Sequence, residues 1–209
     1  MSSTIPHQAD GVSGFRADGK TMIIHTFDTQ TLLFINRDTA NWLFDLLMPA
    51  LSARGYLLIV PYVLAMLLLG YKQGNRFLRE ALLAILVAAC AMCLAEWTAD
   101  VVKTTIARVR PCRSIEEIRL IVACPKSFSM PSSHAITSFA FAVPLFFMSR
   151  DYIALIWRFY PLLLASLVAL SRIYLGVHYP TDVLVGAFFG TVIGLGLSLL
   201  CQLIDTNRM

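Results

Sequence analysis

Five stretches of the chain are almost continuously apolar, and each has about the length of a membrane-spanning helix. They cover residues 55–71, 77–99, 132–149, 157–173 and 182–203. A helix needs about 20 predominantly apolar residues to cross a bilayer, and each stretch is close to that length. The sequence therefore predicts an all-α membrane protein, built as a bundle of five transmembrane helices.

The segment before the first span, residues 28–52, mixes apolar and charged positions. Its apolar residues include Leu32, Leu33, Ile35, Trp42, Leu43, Leu46 and Leu47, and its charged residues are Asp28, Arg37, Asp38 and Asp45. This mixture is typical of an amphipathic helix that lies at the membrane interface, and an imperfect sixth span is the alternative. Residues 1–26 are polar, without the apolar core of a cleavable signal peptide, so we expect the first span to act as the insertion signal.

The composition agrees with a membrane location and with a single domain. Hydrophobic residues make up 57% of the chain and charged residues 14%, which is far from the averages of soluble domains. No linker rich in Pro, Gly or Ser divides the 209 residues, so residues 1–209 are expected to form one integral-membrane domain. The net charge of +4 is modest, and it indicates neither a polybasic membrane tether nor a nucleic-acid partner.

Successive spans alternate in direction, so the segments between them alternate between the two sides of the membrane. Segments 99–131 and 172–181 are therefore expected on one side, and segments 72–79 and 150–156 on the other. Seven Lys and Arg residues on the first side against six on the second make the positive-inside rule indecisive. The polar residues that are candidates for binding or catalysis converge on the first side.

Two polar motifs lie between the second and third spans. In "KTTIARVRP", Lys103 and Arg110 are seven residues apart, so on a continuous helix they lie on one side and reach one anion together. In "PSSH", Pro131 suits the first turn of a helix. Ser132, Ser133 and His134 then lie where free backbone N–H groups favour a phosphate.

A third polar motif, "SRIYLGVHYPTD", separates the last two spans. It contains Arg172, His178 and Asp182, and the last two are four residues apart. At one helical turn, the carboxylate of Asp182 is placed to accept a hydrogen bond from one ring nitrogen of His178. The other nitrogen then remains as a nucleophile or base.

Together the three motifs resemble the signature of the type 2 phosphatidic acid phosphatase superfamily. Lys-x6-Arg-Pro, Pro-Ser-x-His and Ser-Arg-x5-His-x3-Asp occur in this order at residues 103–111, 131–134 and 171–182. A surface helix followed by five spans is similar to the short undecaprenyl pyrophosphate phosphatases of that superfamily, which are linked to bacitracin resistance.

The resemblance implies a role for each residue of the motifs. His178 would be the nucleophile that forms a phosphohistidine, oriented by Asp182, and His134 would protonate the leaving oxygen and later activate water. The phosphoryl oxygens would be held by Lys103, Arg110, Arg172, the Ser132 hydroxyl and the backbone N–H of Ser133. The family pattern implies no metal and no cofactor. Ser133 departs from the pattern, which usually has Gly there, and this leaves the rate and the pocket size open.

The same resemblance implies a membrane lipid phosphate as substrate. Hydrolysis of undecaprenyl pyrophosphate to undecaprenyl phosphate in a bacterial inner membrane is the first interpretation. If Lys103, Arg110 and Arg172 are set aside as functional, the balance of Lys and Arg favours a cytoplasmic 72–79 segment, and the active site is then expected to face the periplasm. Alternatives are phosphatidylglycerol phosphate, phosphatidic acid or lipid A 1-phosphate as substrate, or a lipid phosphotransferase. A non-catalytic transporter or scramblase of anionic lipids would use the cations, but it gives no reason for His178 and Asp182. The sequence leaves the oligomeric state open.

The remaining polar residues are expected outside the three motifs' binding site or in support of it. Arg108, Arg113, Arg119 and Lys126 are expected in solvent or against lipid headgroups, and His7 and His25 at the surface. Glu96 and Asp100 either support Lys103 or lie at the membrane interface.

Small residues and cysteines complete the pattern. Gly186, Gly190 and Gly194 share one helical row and indicate close helix packing, with a homodimer interface as the alternative. Cys90, Cys93 and Cys201 fall inside spans and are interpreted as small packing residues. Cys112 and Cys124 bracket the loop between the first two motifs, and we hypothesise a disulfide between them if that side is periplasmic.

Overall fold

The structure is a computed structural model that describes residues 19–206. In this part of the chain the regular elements are all helical. They are α1 (Gly19–Leu33), a π-helical turn (Phe34–Asp38), α2 (Trp42–Arg54), α3 (Tyr56–Gln73), α4 (Asn75–Ile106), α5 (Pro111–Ser114), α6 (Ser133–Met148), α7 (Leu155–Tyr174) and α8 (Pro180–Thr206).

The five predicted spans correspond to α3, α4, α6, α7 and α8. By length and composition, α3, α4, α7 and α8 are able to cross a membrane, whereas the apolar α6 has only 16 residues. At 1.5 Å per residue, α6 is about 24 Å long, which is shorter than the roughly 30 Å hydrocarbon core. An all-α protein with membrane-spanning helices is therefore confirmed, while the number of spans stays a prediction.

Helix α6 lies at the centre of the bundle, in contact with α4, α7 and α8. Helix α4 approaches it along a stripe of small buried residues, Ala84, Ala88, Ala91, Ala95 and Ala99. These positions follow the spacing of three and four residues that keeps side chains on one helical face. The next residue of the stripe is Lys103, and this register explains why its side chain is buried although it is charged.

The glycine row of α8 packs against α6. A Cβ atom at Gly190 would lie 2.2 Å from the carbonyl oxygen of Ile136, and one at Gly186 would lie 2.8 Å from that of Ser132. Both distances are shorter than a carbon atom tolerates, so glycine permits the close approach of the two helices. Because α6 of the same chain covers this row, the packing interpretation is favoured over the homodimer interface.

The single interfacial helix predicted over residues 28–52 is wrong in its boundaries. Helix α1 begins at Gly19, inside the segment predicted to be merely polar, and α2 begins separately at Trp42. The break has a local cause, because the side chain of Asn41 accepts hydrogen bonds from the N–H groups of Leu43 and Phe44 and so caps a new helix. His7 lies outside the described residues.

Every long helix of the bundle has one terminus at a common end, which we call the site end. The carboxyl ends of α4 and α7, the amino ends of α6 and α8, and the three motifs lie there. The connection from α4 to α6 is closed by a disulfide between Cys112 and Cys124, whose Cα atoms are 6.0 Å apart. This bears out the hypothesised pairing. The opposite end, with the α3–α4 and α6–α7 turns, is called the far end.

The prediction that the other three cysteines pack inside the bundle is wrong. Cys90 and Cys93 lie on the exposed side of α4, and Cys201 is partly exposed on α8. The reason is the register of α4, since the alanine stripe occupies the face that meets α6.

Candidate active site

His178 and Asp182 meet where the chain enters α8. The imidazole is 2% exposed and the carboxylate is fully buried. Nδ1 of His178 lies 3.6 Å from Oδ2 of Asp182, which is close enough for electrostatic attraction but longer than a hydrogen bond. Asp182 is instead fixed by the backbone N–H of Tyr179 at 2.9 Å and the hydroxyl of Ser129 at 2.5 Å, which both donate to Oδ2.

Arg110 lies directly beside the ring of His178. Its Nη1 is 2.8 Å from Nε2 of His178 and 2.8 Å from the carbonyl oxygen of Val177, and its Nε donates to the carbonyl oxygen of Ser127. A guanidinium group only donates, so Nε2 is the acceptor and the ring hydrogen is on Nδ1, facing Asp182. The free electron pair of His178 is thus on Nε2, next to a fixed positive charge.

The environment of His178 keeps it neutral. Its burial, together with the positive charges of Arg110 and Arg172, outweighs the attraction of Asp182 and lowers the pKa of His178 to about 4. At neutral pH the imidazole therefore carries no proton on Nε2, which is the form that a nucleophile requires.

Lys103 and the PSSH motif form the next part of the site. The amino group of Lys103 donates to the hydroxyl of Ser133, so the residue that departs from the family pattern adds a partner for a motif lysine. The backbone N–H of Ser132 donates to the carbonyl oxygen of Asp182 at 3.0 Å, which joins the second motif to the third.

Arg172 completes the set of buried cations. Its side chain is buried near the carboxyl end of α7, and Nη1 donates to the hydroxyl of Ser52 on α2. Among the described residues, Nε of Arg172 and the hydroxyl of Ser132 are two of the few buried side-chain polar atoms without a hydrogen-bond partner. Such groups are rare in proteins, and here both are donors, which suits an anionic ligand.

A cavity of about 460 Å³ adjoins the site at His134. Its polar contributors include His134 and Ser52, and the rest of its wall is mainly apolar, with residues such as Ile59, Phe141 and Leu164. The wall comes from α2, α3, α4, α6 and α7. Ser52 in this wall accepts a hydrogen bond from the buried Arg172. A buried cation therefore lies next to the apolar cavity, which matches the chemistry of a lipid with an anionic head.

The structure brings all eight predicted site residues to the site end of the bundle. They are Lys103, Arg110, Ser132, Ser133, His134, Arg172, His178 and Asp182. The predicted hydrogen bond between His178 and Asp182 is absent, because Arg108, Ser129 and the backbone of Tyr179 take the carboxylate oxygens.

Two arginines that were expected in solvent are in fact bound to carboxylates. Arg108 donates to Asp182 at 2.6 Å and to Asp28 at 2.6 Å, and Arg119 donates to both oxygens of Asp45 at 2.8 and 2.9 Å. The prediction for these two residues is wrong because their partners come from α1, α2 and α8, far away in the sequence. Arg113, Lys126 and His25 are exposed, as expected.

Glu96 and Asp100 lie on the exposed side of α4. Their carboxylates act on Lys103 through their charge, while its hydrogen bond is to Ser133. Glu96 and Asp100 therefore support Lys103 only through their charge, and both side chains lie on the outer surface of the bundle.

Sequence reasoning missed four residues that contact the predicted site: Asp28, Ser52, Arg108 and Ser129. Arg108 lies inside the first motif and Ser129 two residues before the second, so their proximity to the motifs was a usable signal. Asp28 and Ser52 belong to α1 and α2 and follow no local pattern that points to the site.

Comparison with known proteins places the chain in a family. Residues 81–204, more than half of the chain, match the family model described as the PAP2 superfamily, and they include all three motifs. The chain belongs to the PAP2 superfamily, and the resemblance inferred from the motifs is confirmed.

Curated relatives are similar to a little under half of the chain. The chain is 42% identical over 93 residues to a decaprenylphosphoryl-5-phosphoribose phosphatase of Mycolicibacterium smegmatis, covering 44% of this chain and 47% of that protein. It is 33% identical over 92 residues to an undecaprenyl-diphosphatase of Sulfolobus acidocaldarius, covering 44% and 43%. The matches thus span less than half the length of either relative.

A solved structure supports the fold over a larger part of the chain. The crystal structure of a transmembrane PAP2-type phosphatidylglycerolphosphate phosphatase from Bacillus subtilis is similar, with a TM-score of 0.64 and 23% identity. The similarity covers 87% of this chain and 88% of that one. The protein is an integral membrane protein with the PAP2 fold.

Proposed function

We propose that this protein is a lipid phosphatase that hydrolyses the phosphate or pyrophosphate of a polyprenyl lipid, with undecaprenyl pyrophosphate as the substrate. The observation that carries the proposal is the position of Nε2 of His178. This atom is unprotonated, buried and 2.8 Å from Nη1 of Arg110, and the nearby Arg172 retains an unpaired Nε. The names of both curated relatives refer to polyprenyl phosphates or diphosphates, which supports the choice of lipid.

The first chemical step is attack by Nε2 of His178 on phosphorus. A P–N bond forms, the bond from phosphorus to the leaving oxygen breaks, and His134 donates a proton to that oxygen. The hydrogen on Nδ1 faces Asp182, so the carboxylate stabilises the positive charge that the imidazole acquires. Arg110 then donates to a phosphoryl oxygen instead of to the nitrogen.

The second step releases phosphate from the phosphohistidine. His134, now without its proton, takes one from a water molecule, whose oxygen attacks phosphorus as the P–N bond breaks. Lys103, Arg110 and Arg172 stabilise the negative charge on the three non-bridging oxygens in both steps. These fixed cations perform the charge neutralisation that a metal ion provides in other phosphatases, and they would repel a divalent cation.

The lipid tail is proposed to lie in the apolar cavity beside His134. His134 lines this cavity together with Ile59, Phe141 and Leu164, so a leaving group that carries the tail emerges next to the proposed proton donor. The same position keeps the hydrophobic part of the substrate in an apolar environment while its phosphate meets the cations.

The test is phosphate release by the purified protein in detergent. The panel contains undecaprenyl pyrophosphate, undecaprenyl phosphate, phosphatidylglycerol phosphate, phosphatidic acid and lipid A 1-phosphate. We expect the highest kcat/KM with undecaprenyl pyrophosphate, and loss of turnover in His178→Ala but not in His25→Ala, which alters an exposed histidine.

Other outcomes of this assay have defined meanings. Activity of His178→Ala within tenfold of the wild type would refute the mechanism. A preference for a glycerolipid would replace the proposed substrate but keep the reaction. Lipid binding without any phosphate release would instead favour the transporter or scramblase.

A further inference from the structure

In one cluster of charges, two buried carboxylates, those of Asp182 and Asp28, share the partly exposed guanidinium of Arg108. Nη1 of Arg108 donates to Oδ1 of Asp182 at 2.6 Å, and Nη2 donates to Oδ2 of Asp28 at 2.6 Å. Asp28 belongs to α1 and is fully buried. It also accepts from the backbone N–H of Thr181 at 2.9 Å and from the hydroxyl of Thr181 at 2.5 Å.

The guanidinium of Arg108 is held on a third side as well. It lies over the ring of Tyr179, 4.1 Å from the ring centroid, which adds a cation–π contact to its two carboxylate partners. Arg108, whose side chain is 21% exposed, is therefore held between Asp28, Asp182 and Tyr179.

The alternation of charge makes the cluster interdependent. A buried carboxylate is costly unless it is paired and hydrogen-bonded, and both carboxylates share one guanidinium. Removing one partner of a buried ion pair leaves the other charge uncompensated. The charge and orientation of Asp182 therefore depend on Arg108, and the placement of Arg108 depends on Asp28.

We propose that Asp28 and Arg108 are positioning residues that extend the His178–Asp182 pair, so that α1 takes part in catalysis although it lies outside the three motifs. This inference rests on the proposed function, because it assumes that His178 is the nucleophile. Arg108 holds Oδ1 of Asp182 and thereby turns Oδ2 towards Nδ1 of His178. Asp28 holds Arg108 and the first turn of α8.

The two residues should affect turnover more than substrate binding. Arg108 binds Oδ1 of Asp182, whereas His178 faces Oδ2. Its Nη1 and Nη2 atoms donate to Asp182, Asp28 and Thr181. It is not one of the cations next to Nε2 of His178. We therefore expect a change in kcat with little change in KM, whereas loss of Arg172 changes both.

Charge at this cluster also sets how readily His178 takes up a proton. The charged and titratable groups around the His178–Asp182 pair are Asp28 and His25 on α1, Lys103 on α4, Arg108 and Arg110 after it, His134 on α6 and Arg172 on α7. Loss of the positive Arg108 leaves more negative charge near the imidazole and favours its protonated form. Loss of the negative Asp28 has the opposite effect.

The experiment measures kcat and kcat/KM against pH for Arg108→Gln and Asp28→Asn, with one lipid phosphate for all proteins. The fall of kcat/KM at low pH, which we call the acid limb, reports the protonation of His178 in the free enzyme. The ionisation of the substrate also contributes, but it is the same for every variant. We expect kcat to fall about 10- to 100-fold, by analogy with residues that orient the ligands of metal sites, with KM within about twofold. The acid limb should move to higher pH in Arg108→Gln and to lower pH in Asp28→Asn.

Matched controls separate these effects from damage to the fold. Arg113→Gln and Asp38→Asn remove the same charges at exposed positions in the same regions of the chain, and they should leave the pH profile unchanged. Arg108→Lys keeps the charge but loses the two-sided contact, so its acid limb should stay near the wild-type position while kcat falls. It also serves as the second variant if Arg108→Gln does not fold.

An acid limb that does not move, or that moves in the same direction in both charge-removing variants, would overturn the inference. So would an effect confined to KM. If His178→Ala retains activity, the proposed function itself fails. If His178→Ala is inactive and the limbs do not move, the proposed function stands and only the inference fails.

Discussion

The two ends of the bundle are stabilised in different ways. At the site end, a long connection between α4 and α6, closed by the Cys112–Cys124 disulfide, contacts α2, α7 and α8 through side-chain hydrogen bonds. At the far end, α3 and α4 are joined by Gly74 alone. Its φ of 117° is a conformation that other residues rarely adopt.

The cores of the two ends also differ, because one is mainly apolar and the other contains charged side chains. The far end is filled by Tyr62, Met66, Leu145, Tyr152 and Ile153, all buried and largely apolar. Its ion pairs, such as Arg79–Asp205, are at the surface. The site end buries Asp28, Lys103, Arg110, Arg172 and Asp182.

This comparison separates stability from chemistry. Mainly apolar packing and short turns stabilise the far end, whereas the site end buries charges that a pure scaffold would avoid. We therefore expect substitutions at the far end to change stability and leave turnover nearly intact, and substitutions at the site end to change turnover first.

The largest expected effect is from Arg172→Met at the site end. This change removes a buried donor whose Nε has no protein partner, so activity should fall about 100- to 1,000-fold, as for the loss of one preorganised donor. Arg158→Met is the matched control, because Arg158 is on the same helix at the far end. The measurement is kcat/KM for phosphate release, and a loss in Arg172→Met no larger than that in Arg158→Met would contradict the comparison.

The next effect is from the double variant Cys112→Ser, Cys124→Ser. Opening this loop removes a constraint on the unfolded chain worth about 3 kcal/mol in the entropic model. It also loosens the segment that carries Arg110 and Ser127. We expect a lower thermal midpoint and faster thermal loss of activity, measured in detergent and compared with Cys90→Ser. Equal stability of the two proteins would show that the loop needs no cross-link.

At the far end, Met66→Ala should lower stability much more than it lowers turnover. Met66 is fully buried, and its truncation should cost about 2–5 kcal/mol of stability, with little change in kcat at low temperature. Leu68→Ala, at an exposed position of the same helix, is the control. A large fall in kcat without a fall in stability would mean that the far end communicates with the site.

The smallest expected effect is from chelation. Because the proposed charge neutralisation comes from Lys103, Arg110 and Arg172, activity should be unchanged in excess EDTA. Complete loss of activity that magnesium restores would place a metal at the site end and remove the main role assigned to these cations.

Sequence reasoning anticipated the site better than its surroundings. Lys103, Arg110, His134, Arg172, His178 and Asp182 were identified from motifs whose residues are at most eleven positions apart, and the structure brings them together. The roles of these residues remain predictions. Reasoning from the sequence was wrong about Arg108 and Arg119, because a charged residue in a polar segment looks the same whether it is solvated or paired.

The sequence by itself determined the local features of this protein: its apolar helices, the alanine stripe that ends at Lys103, and the spacing of His178 and Asp182. These follow from helical periodicity and from the preference of apolar residues for lipid, which act over a few residues. Only the tertiary structure decided that Asp28 meets Arg108, 80 positions away, and that Asn36 accepts from the backbone of Arg119, 83 positions away. Such contacts depend on how whole helices pack, and a polar residue of α1 carries no local mark of the partner that packing will bring to it.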